Sequence, residues 1–132
     1  SESESGIALR VFKNEKNKKI GISLEVSFVE RKIGENTLEN QNKVLQMPID
    51  EPLYYFVQFA KSKENCALDR FEGNEKNREK FLKDWENGKI RKVLVKFDVE
   101  EIERFESLDE LVEEFLKGFE LLIPFYLKTK EI

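Results

Sequence analysis

The chain contains no histidine, and this absence excludes more chemistry than any other feature of its composition. Histidine is the commonest general base near neutral pH and the commonest side-chain ligand of transition metals. Hydrolases that pair serine or cysteine with histidine, and enzymes with histidine-bound metals, are therefore excluded. Cys66 is the single cysteine, so neither an intrachain disulfide nor a zinc site of paired cysteines can form.

Glycine is also scarce, and the six glycines occur singly. No glycine-rich phosphate loop, dinucleotide fingerprint or calcium loop is present. The 27 Asp and Glu residues could in principle supply a catalytic pair for glycoside or metal-dependent phosphate chemistry. Most of them are expected on a solvated surface, because 38% of all residues are charged. We therefore expect a binding domain that is not an enzyme, with no catalytic residue, no metal and no cofactor.

No apolar run approaches the roughly 18 residues that a membrane span needs. Residues 1–5 lack the basic and apolar regions of a signal peptide and have no apolar side chain to bury. We expect a soluble, cytoplasmic protein with a flexible leader over residues 1–5. The 39% of hydrophobic residues, including eleven Phe, suffice for one core, so residues 6–132 are expected to form a single domain.

Two alternating segments at the start of the chain predict a β-hairpin. Apolar residues alternate with others over residues 7–13, and over residues 20–28 the alternation is complete, which is typical of a strand with one wet face. The polar residues between the segments predict a turn with a basic tip.

Residues 30–52 show neither helical nor strand periodicity, so we expect a long loop there, with a short strand at 43–47. Long loops in compact domains are often functional, which makes this segment a candidate binding loop. The aromatic run at residues 53–60 then predicts a central strand covered on both faces.

Two helices and one further strand follow. Asn74 can cap a helix that ends at Asn87-Gly88, and residues 89–98 alternate as a strand. Ser107 and Glu110 form a capping box for a final helix, which Pro124 should end or kink. The predicted fold class is α+β: an antiparallel or mixed sheet of four or five strands, with an N-terminal hairpin, packed against helices at about 74–86 and 108–123.

Charge is distributed unevenly along the chain. Residues 10–20 carry a net charge of +4, whereas residues 98–120 carry −8. A basic front of this kind permits contact with phosphate even in an acidic protein, since charges are screened within roughly 10 Å. Aromatic side chains can stack on nucleobases, while neighbouring cationic side chains bind the phosphate backbone of the nucleic acid. The residues that we expect to supply these contacts to nucleic acid are Lys16, Lys18, Lys19, Tyr54, Trp85 and Arg91.

The second half of the chain resembles a known family. The residues that carry the resemblance are Trp85, Glu86, Gly88 and Ile90, followed by Ser107, Glu110, Leu111 and Tyr126. This order is similar to that in the MrcB-like N-terminal DNA-binding domain of McrB-type modification-dependent restriction proteins. The resemblance implies a domain that inspects duplex DNA, methylated DNA included, in some relatives by flipping a modified base into a pocket. It also implies that cleavage belongs to other domains or subunits of a restriction complex.

Two other classes of function remain open. The acidic surface expected over residues 98–114, or the segment 30–52, could dock a protein partner without any contact to nucleic acid. A hydrolase that uses carboxylates alone ranks last.

Overall fold

A computed structural model describes residues 5–28, 35–60 and 67–131 of the chain. Part of the expected binding loop, residues 30–34, and most of the expected leader, residues 1–4, lie outside these ranges. Ser5, assigned to the leader, is the first residue of the first strand.

Within these ranges, five strands form one antiparallel sheet, which confirms the predicted α+β class. The strands are β1 (Ser5–Lys13), β2 (Ile20–Phe28), β3 (Tyr54–Phe59), β4 (Asp69–Glu72) and β5 (Ile90–Val99). Their order across the sheet is β1-β2-β5-β3-β4, with every neighbouring pair antiparallel. The expected hairpin is present as β1 and β2, which pair over nine residues from Ser5 opposite Phe28 to Lys13 opposite Ile20.

In the described part of the chain, three α-helices accompany the sheet: α1 (Glu35–Asn42), α2 (Glu75–Glu86) and α3 (Leu108–Thr129). Their buried side chains meet one face of the sheet. In α2, Phe81 packs edge-on against Tyr55 of β3, while Gly118 of α3 lies against Phe97 and Leu24. A Cβ at position 118 would lie 2.5 Å from the ring of Phe97, so this helix approaches β5 closely because the residue there is glycine.

The segment 35–46 contradicts the expectation of a loop with a short strand. It forms α1, followed by a 3₁₀ helix at Lys43–Gln46, and α1 is a helix beyond the two that we predicted. The physical reason is that α1 buries amide side chains instead of an apolar stripe, because Gln41 and Asn42 are 0% and 2% exposed. The Gln41 amide donates to the carbonyls of Val26 and Val93, where β2 and β5 diverge.

The final helix also differs from its prediction, because it continues past Pro124 to Thr129. Proline removes one backbone donor and so leaves the carbonyl of Glu120 without its helical partner. Both residues are exposed, so this carbonyl can be hydrated. Phe125 and Thr129 are 4% exposed, and their burial holds the last turns in place. The start follows the predicted cap, with Glu110 N donating to Ser107 Oγ.

The face of the sheet opposite the helices is polar, yet its centre is not wet as expected for β2. Ser23, Glu25 and Ser27 are at most 9% exposed. Long cationic side chains from the edge strands cover this centre: Arg10 of β1 pairs with Glu25, and Arg70 of β4 lies over Tyr54. β3 is therefore covered on both faces, as predicted, by α2 on one face and by such side chains on the other.

None of the helices in the described ranges is long and apolar enough to cross a membrane.

Candidate functional site

A pocket of about 670 Å³ opens between α1 and α2, at the end of the sheet where β5 begins. Its walls mix apolar, amide and charged side chains drawn from α1, the 3₁₀ helix, the end of β3, α2 and β5. The lining residues are Leu38, Glu39, Asn42, Gln46, Ala60, Leu82, Trp85, Glu86, Ile90 and Arg91.

Local turn chemistry brings Trp85 and Arg91 to this pocket. α2 ends in a Schellman motif: Lys89 N donates to Asp84 O at 2.8 Å, and Gly88 N donates to Trp85 O at 3.0 Å. Gly88 has a φ of +71°, a left-handed conformation that glycine adopts without a steric cost. The chain reverses there and enters β5, so the last turn of α2 and the first residues of β5 face the same space.

The walls are held by side-chain hydrogen bonds to the backbone. Asn42 Nδ2 donates to Arg91 O at 3.0 Å, and Asn42 Oδ1 accepts from Val93 N at 2.9 Å. The Asn42 amide thus pairs with β5 as a neighbouring strand would. The Arg91 guanidinium donates to Gln58 Oε1 at 2.6 Å. An arginine carries five N–H donors, and among the described residues this is the one side-chain bond that Arg91 makes.

The composition of the pocket suits a flat, polar-edged molecule. Trp85, Leu82 and Ile90 supply apolar surface, and the indole offers a face on which a planar ring can stack. Glu39 and Glu86 supply carboxylates, which accept hydrogen bonds from exocyclic amino groups such as N4 of cytosine. Arg91 supplies a charged donor for a phosphate or a base edge.

Tyr54 lies elsewhere, on the polar face of the sheet. It is 5% exposed, its hydroxyl donates to Asp98 Oδ1 at 2.5 Å, and the Arg70 guanidinium lies 3.8 Å from its ring centre. Burial, together with the bond to Asp98, raises the pKa of Tyr54 above its ordinary value. Its ring is thus already stacked on a cation.

The same face holds a buried cation, Lys96, which is 7% exposed. Its ammonium lies 4.1 Å from the ring centre of Phe56. Burial lowers the pKa of Lys96, and the nearby carboxylates of Glu25 and Asp98 partly oppose that shift. Both carboxylates are ion-paired with arginines, Arg10 and Arg70. These pairings account for the burial of the charges without a ligand.

The three lysines of the hairpin tip, Lys16, Lys18 and Lys19, lie at the other end of the sheet from the pocket. Arg91 is near the start of β5, whereas β2 next to the tip pairs with its last residue, Val99. Eight residues of strand separate these positions, which corresponds to roughly 26 Å. The structure therefore brings together Trp85 and Arg91 and places the other four predicted residues elsewhere.

Acidic residues surround the tip. Lys18 Nζ lies 3.7 Å from Glu15, and Asn17 Nδ2 donates to Glu101 Oε1 at 3.1 Å. The segment that contains Glu101 therefore lies against the tip, and this segment begins the acidic stretch 98–120. Lys18 adopts a left-handed φ of +60° within the turn.

Sequence reasoning missed the α1 residues of the pocket. The segment 30–52 was expected to bind a ligand, and its described part does form one wall, through Leu38, Glu39, Asn42 and Gln46. The individual residues carry no periodic signal, because Leu38 is the single large apolar residue in α1. No group of three or more potential metal ligands occurs among the residues that the structure covers.

Comparison with known proteins adds no relative: no protein-family model, no curated protein and no solved structure matches the chain.

Proposed function

We propose that this chain is the DNA-binding specificity domain of a modification-dependent restriction system, and that the α1–α2 pocket receives an unstacked base. The observation that carries the proposal is that one pocket contains Trp85 and Arg91 beside two carboxylates. Stacking on an aromatic ring contributes about 1–3 kcal/mol per base, which is comparable with the few kcal/mol that extrusion of a base costs. The resemblance to McrB-type domains supports the same function.

Each wall has a distinct role in this proposal. Trp85 stacks on the extruded base, and the carboxylates of Glu39 and Glu86 read its exocyclic amino group. Arg91 binds the adjacent phosphate, while Lys89 extends the positive rim. Lys89 is exposed, precedes Ile90 and accepts a backbone hydrogen bond from Ala60 N at 2.9 Å; Ile90 and Ala60 both line the pocket, which supports this role. Such a domain would work in the cytoplasm, with nuclease and motor functions supplied by other domains or subunits.

Trp85 is the single tryptophan of the chain, so its fluorescence reports on this pocket alone. We expect duplex DNA with a central methylated or unmethylated cytosine to quench this emission at low salt. Anisotropy of labelled DNA should give the same dissociation constant. Arg91→Gln should weaken binding at least tenfold, because it removes the charged contact and retains a polar side chain of similar length.

The control is Lys13→Gln, which removes one positive charge from an exposed residue at the other end of the sheet and should leave DNA affinity unchanged. If no duplex binds at about 50 mM salt, where phosphate contacts are strong, the proposed function is wrong. If DNA binds without quenching Trp85 and without sensitivity to Arg91→Gln, the assignment to this pocket is wrong.

A further inference from the structure

A second surface, apolar and exposed, lies at the β1 edge of the helix-bearing side. On α3, exposed apolar residues recur in steps of four or seven, which places them along one flank of the helix. On β1, Leu9 and Val11 point to the same side of the sheet, and α3 contacts this strand. We call the set the β1–α3 surface; its members are 43–74% exposed and comprise Leu9, Val11, Leu108, Val112, Leu116, Ile123 and Leu127.

The extent of this surface is that of an interface. Together these residues expose on the order of 700 Å², close to the roughly 800 Å² that each partner of a stable complex buries. The largest apolar patches on monomers are generally about 300–600 Å². The α1–α2 pocket shares no wall with this surface, because neither β1 nor α3 lines it.

The outer side of the strand at this edge is open to pairing. β1 is the first strand in the sheet order, and within the described ranges no strand pairs with its outer side. It pairs with β2 over nine residues without a register shift and contains no proline. Its charged side chains are Arg10, which is already paired with Glu25, and Lys13 at the last position, so the middle of the strand can accept a partner strand. An occupant that covers the whole surface must therefore offer both a strand edge and an apolar helix flank.

We propose that the occupant is a second copy of this chain, paired through β1 to give a ten-stranded sheet with two-fold symmetry. A two-fold axis perpendicular to the sheet keeps the helices of both copies on one side, as the shared apolar surface requires. The register that pairs all nine residues of β1 places the axis at Leu9. Leu9 then faces its own copy, and Ile7 faces Val11 of the partner copy, so apolar side chains meet along the helix-bearing side.

The charges are compatible with this arrangement. On the polar side Arg10 faces Ala8 of the other copy, and its charge is already paired with Glu25. α3 begins near the hairpin tip and runs antiparallel to β1, so the two α3 helices run in opposite directions across the axis. The first half of α3, residues 108–118, carries four acids and Lys117, and across the axis it faces the second half, which carries Glu120 and Lys128, so the acids of the two copies do not face each other.

Disulfide trapping tests both the dimer and its register. In a Cys66→Ser background, Leu9→Cys should cross-link almost completely on mild oxidation, because opposed residues of antiparallel strands have Cα atoms roughly 4.5–5.5 Å apart, within disulfide range. Val11→Cys is the matched control: it lies four residues from its own copy, and we expect no cross-link. Efficient trapping at position 11 with none at position 9 would overturn the proposed register.

Sedimentation velocity of the full chain gives the second test. The unmodified protein should sediment as twice its 15.6 kDa mass. Leu9→Lys and Leu116→Glu should each raise the dimer dissociation constant at least tenfold, with circular dichroism showing that the fold is retained. Glu79→Lys, an exposed change on α2, should have no effect. A monomer at every concentration, or a dimer that neither β1 nor α3 substitution weakens, would refute the proposal.

Discussion

Two consecutive tyrosines show how the two faces of a strand impose different chemistry on the same side chain. Tyr54 points to the polar face and donates to Asp98, whereas Tyr55 points to the helices and is completely buried. The Tyr55 hydroxyl has no hydrogen-bond partner among the described residues. Burial raises the pKa of both groups above the ordinary tyrosine value, so both stay protonated at neutral pH.

These environments predict opposite effects of the same substitution. Tyr55→Phe removes an unsatisfied buried hydroxyl and should leave the free energy of unfolding unchanged or raise it by up to about 1 kcal/mol. Tyr54→Phe removes a charge-assisted hydrogen bond and should lower it by about 1–2 kcal/mol. Urea unfolding of the two variants measures the difference. A larger loss for Tyr55→Phe than for Tyr54→Phe would contradict this account.

At the scale of elements, the sequence predicted the parts whose burial is apolar and periodic. In the hairpin, in α2 and at the start of α3, the spacing of the apolar residues matches the period of the strand or helix that they form. Asn74 and Ser107 cap the two helices, as their residue types predict. α1 has no such signal, because the side chains that it buries are those of Gln41 and Asn42. Asn and Gln are common in loops, so they give no helix signal in a sequence. Here their amides stabilise the fold through hydrogen bonds to backbone groups of β2 and β5, which are distant in the chain.

Prediction of the candidate site from the sequence was limited in the same way. Trp85 and Arg91 could be named as candidates from the sequence because their residue types suit stacking and phosphate contact. Their common pocket depends on the left-handed turn at Gly88 and on α1 as the facing wall. Tyr54 has equally suitable chemistry, but the alternation of β3 directs it to the opposite face of the sheet.

The role of α1 gives a prediction at this scale. Gln41→Leu keeps the size of the side chain but leaves the carbonyls of Val26 and Val93 without the bonds of 2.9 and 2.8 Å that the amide donates. We expect the free energy of unfolding to fall by about 2–4 kcal/mol, since each unsatisfied buried group costs roughly 1–3 kcal/mol. Glu39→Leu places the same residue at an exposed position of the same helix and should change stability by less than about 0.5 kcal/mol. Equal effects at the two positions in urea unfolding would show that Gln41 has no special role.

At the scale of the whole molecule, basic residues lie at both ends of the sheet, and the proposed function predicts different contributions to DNA affinity from the two ends. The hairpin tip has Lys16, Lys18 and Lys19, but Glu15 and the acidic segment around Glu101 lie against it. At the other end of the sheet, Arg91 lines the pocket together with Glu39 and Glu86, and Lys89 precedes the lining residue Ile90. This end is more than a Debye length from the tip at physiological salt. Under the proposed function the phosphate contacts lie at the pocket end, so the positive charge of the tip should contribute little to DNA affinity.

This argument predicts different salt dependences for matched substitutions. If the pocket end binds phosphate, Lys89→Gln combined with Arg91→Gln should reduce the slope of log affinity against log salt by about 2, because each lost phosphate contact removes roughly 0.9. Lys16→Gln combined with Lys19→Gln removes the same charge from the tip and should change the slope by less than about 0.5. Anisotropy titrations across a range of salt concentrations measure both slopes. A larger change for the tip variant would move the DNA interface to the hairpin, because the two variants have the same net charge and differ only in where that charge was removed.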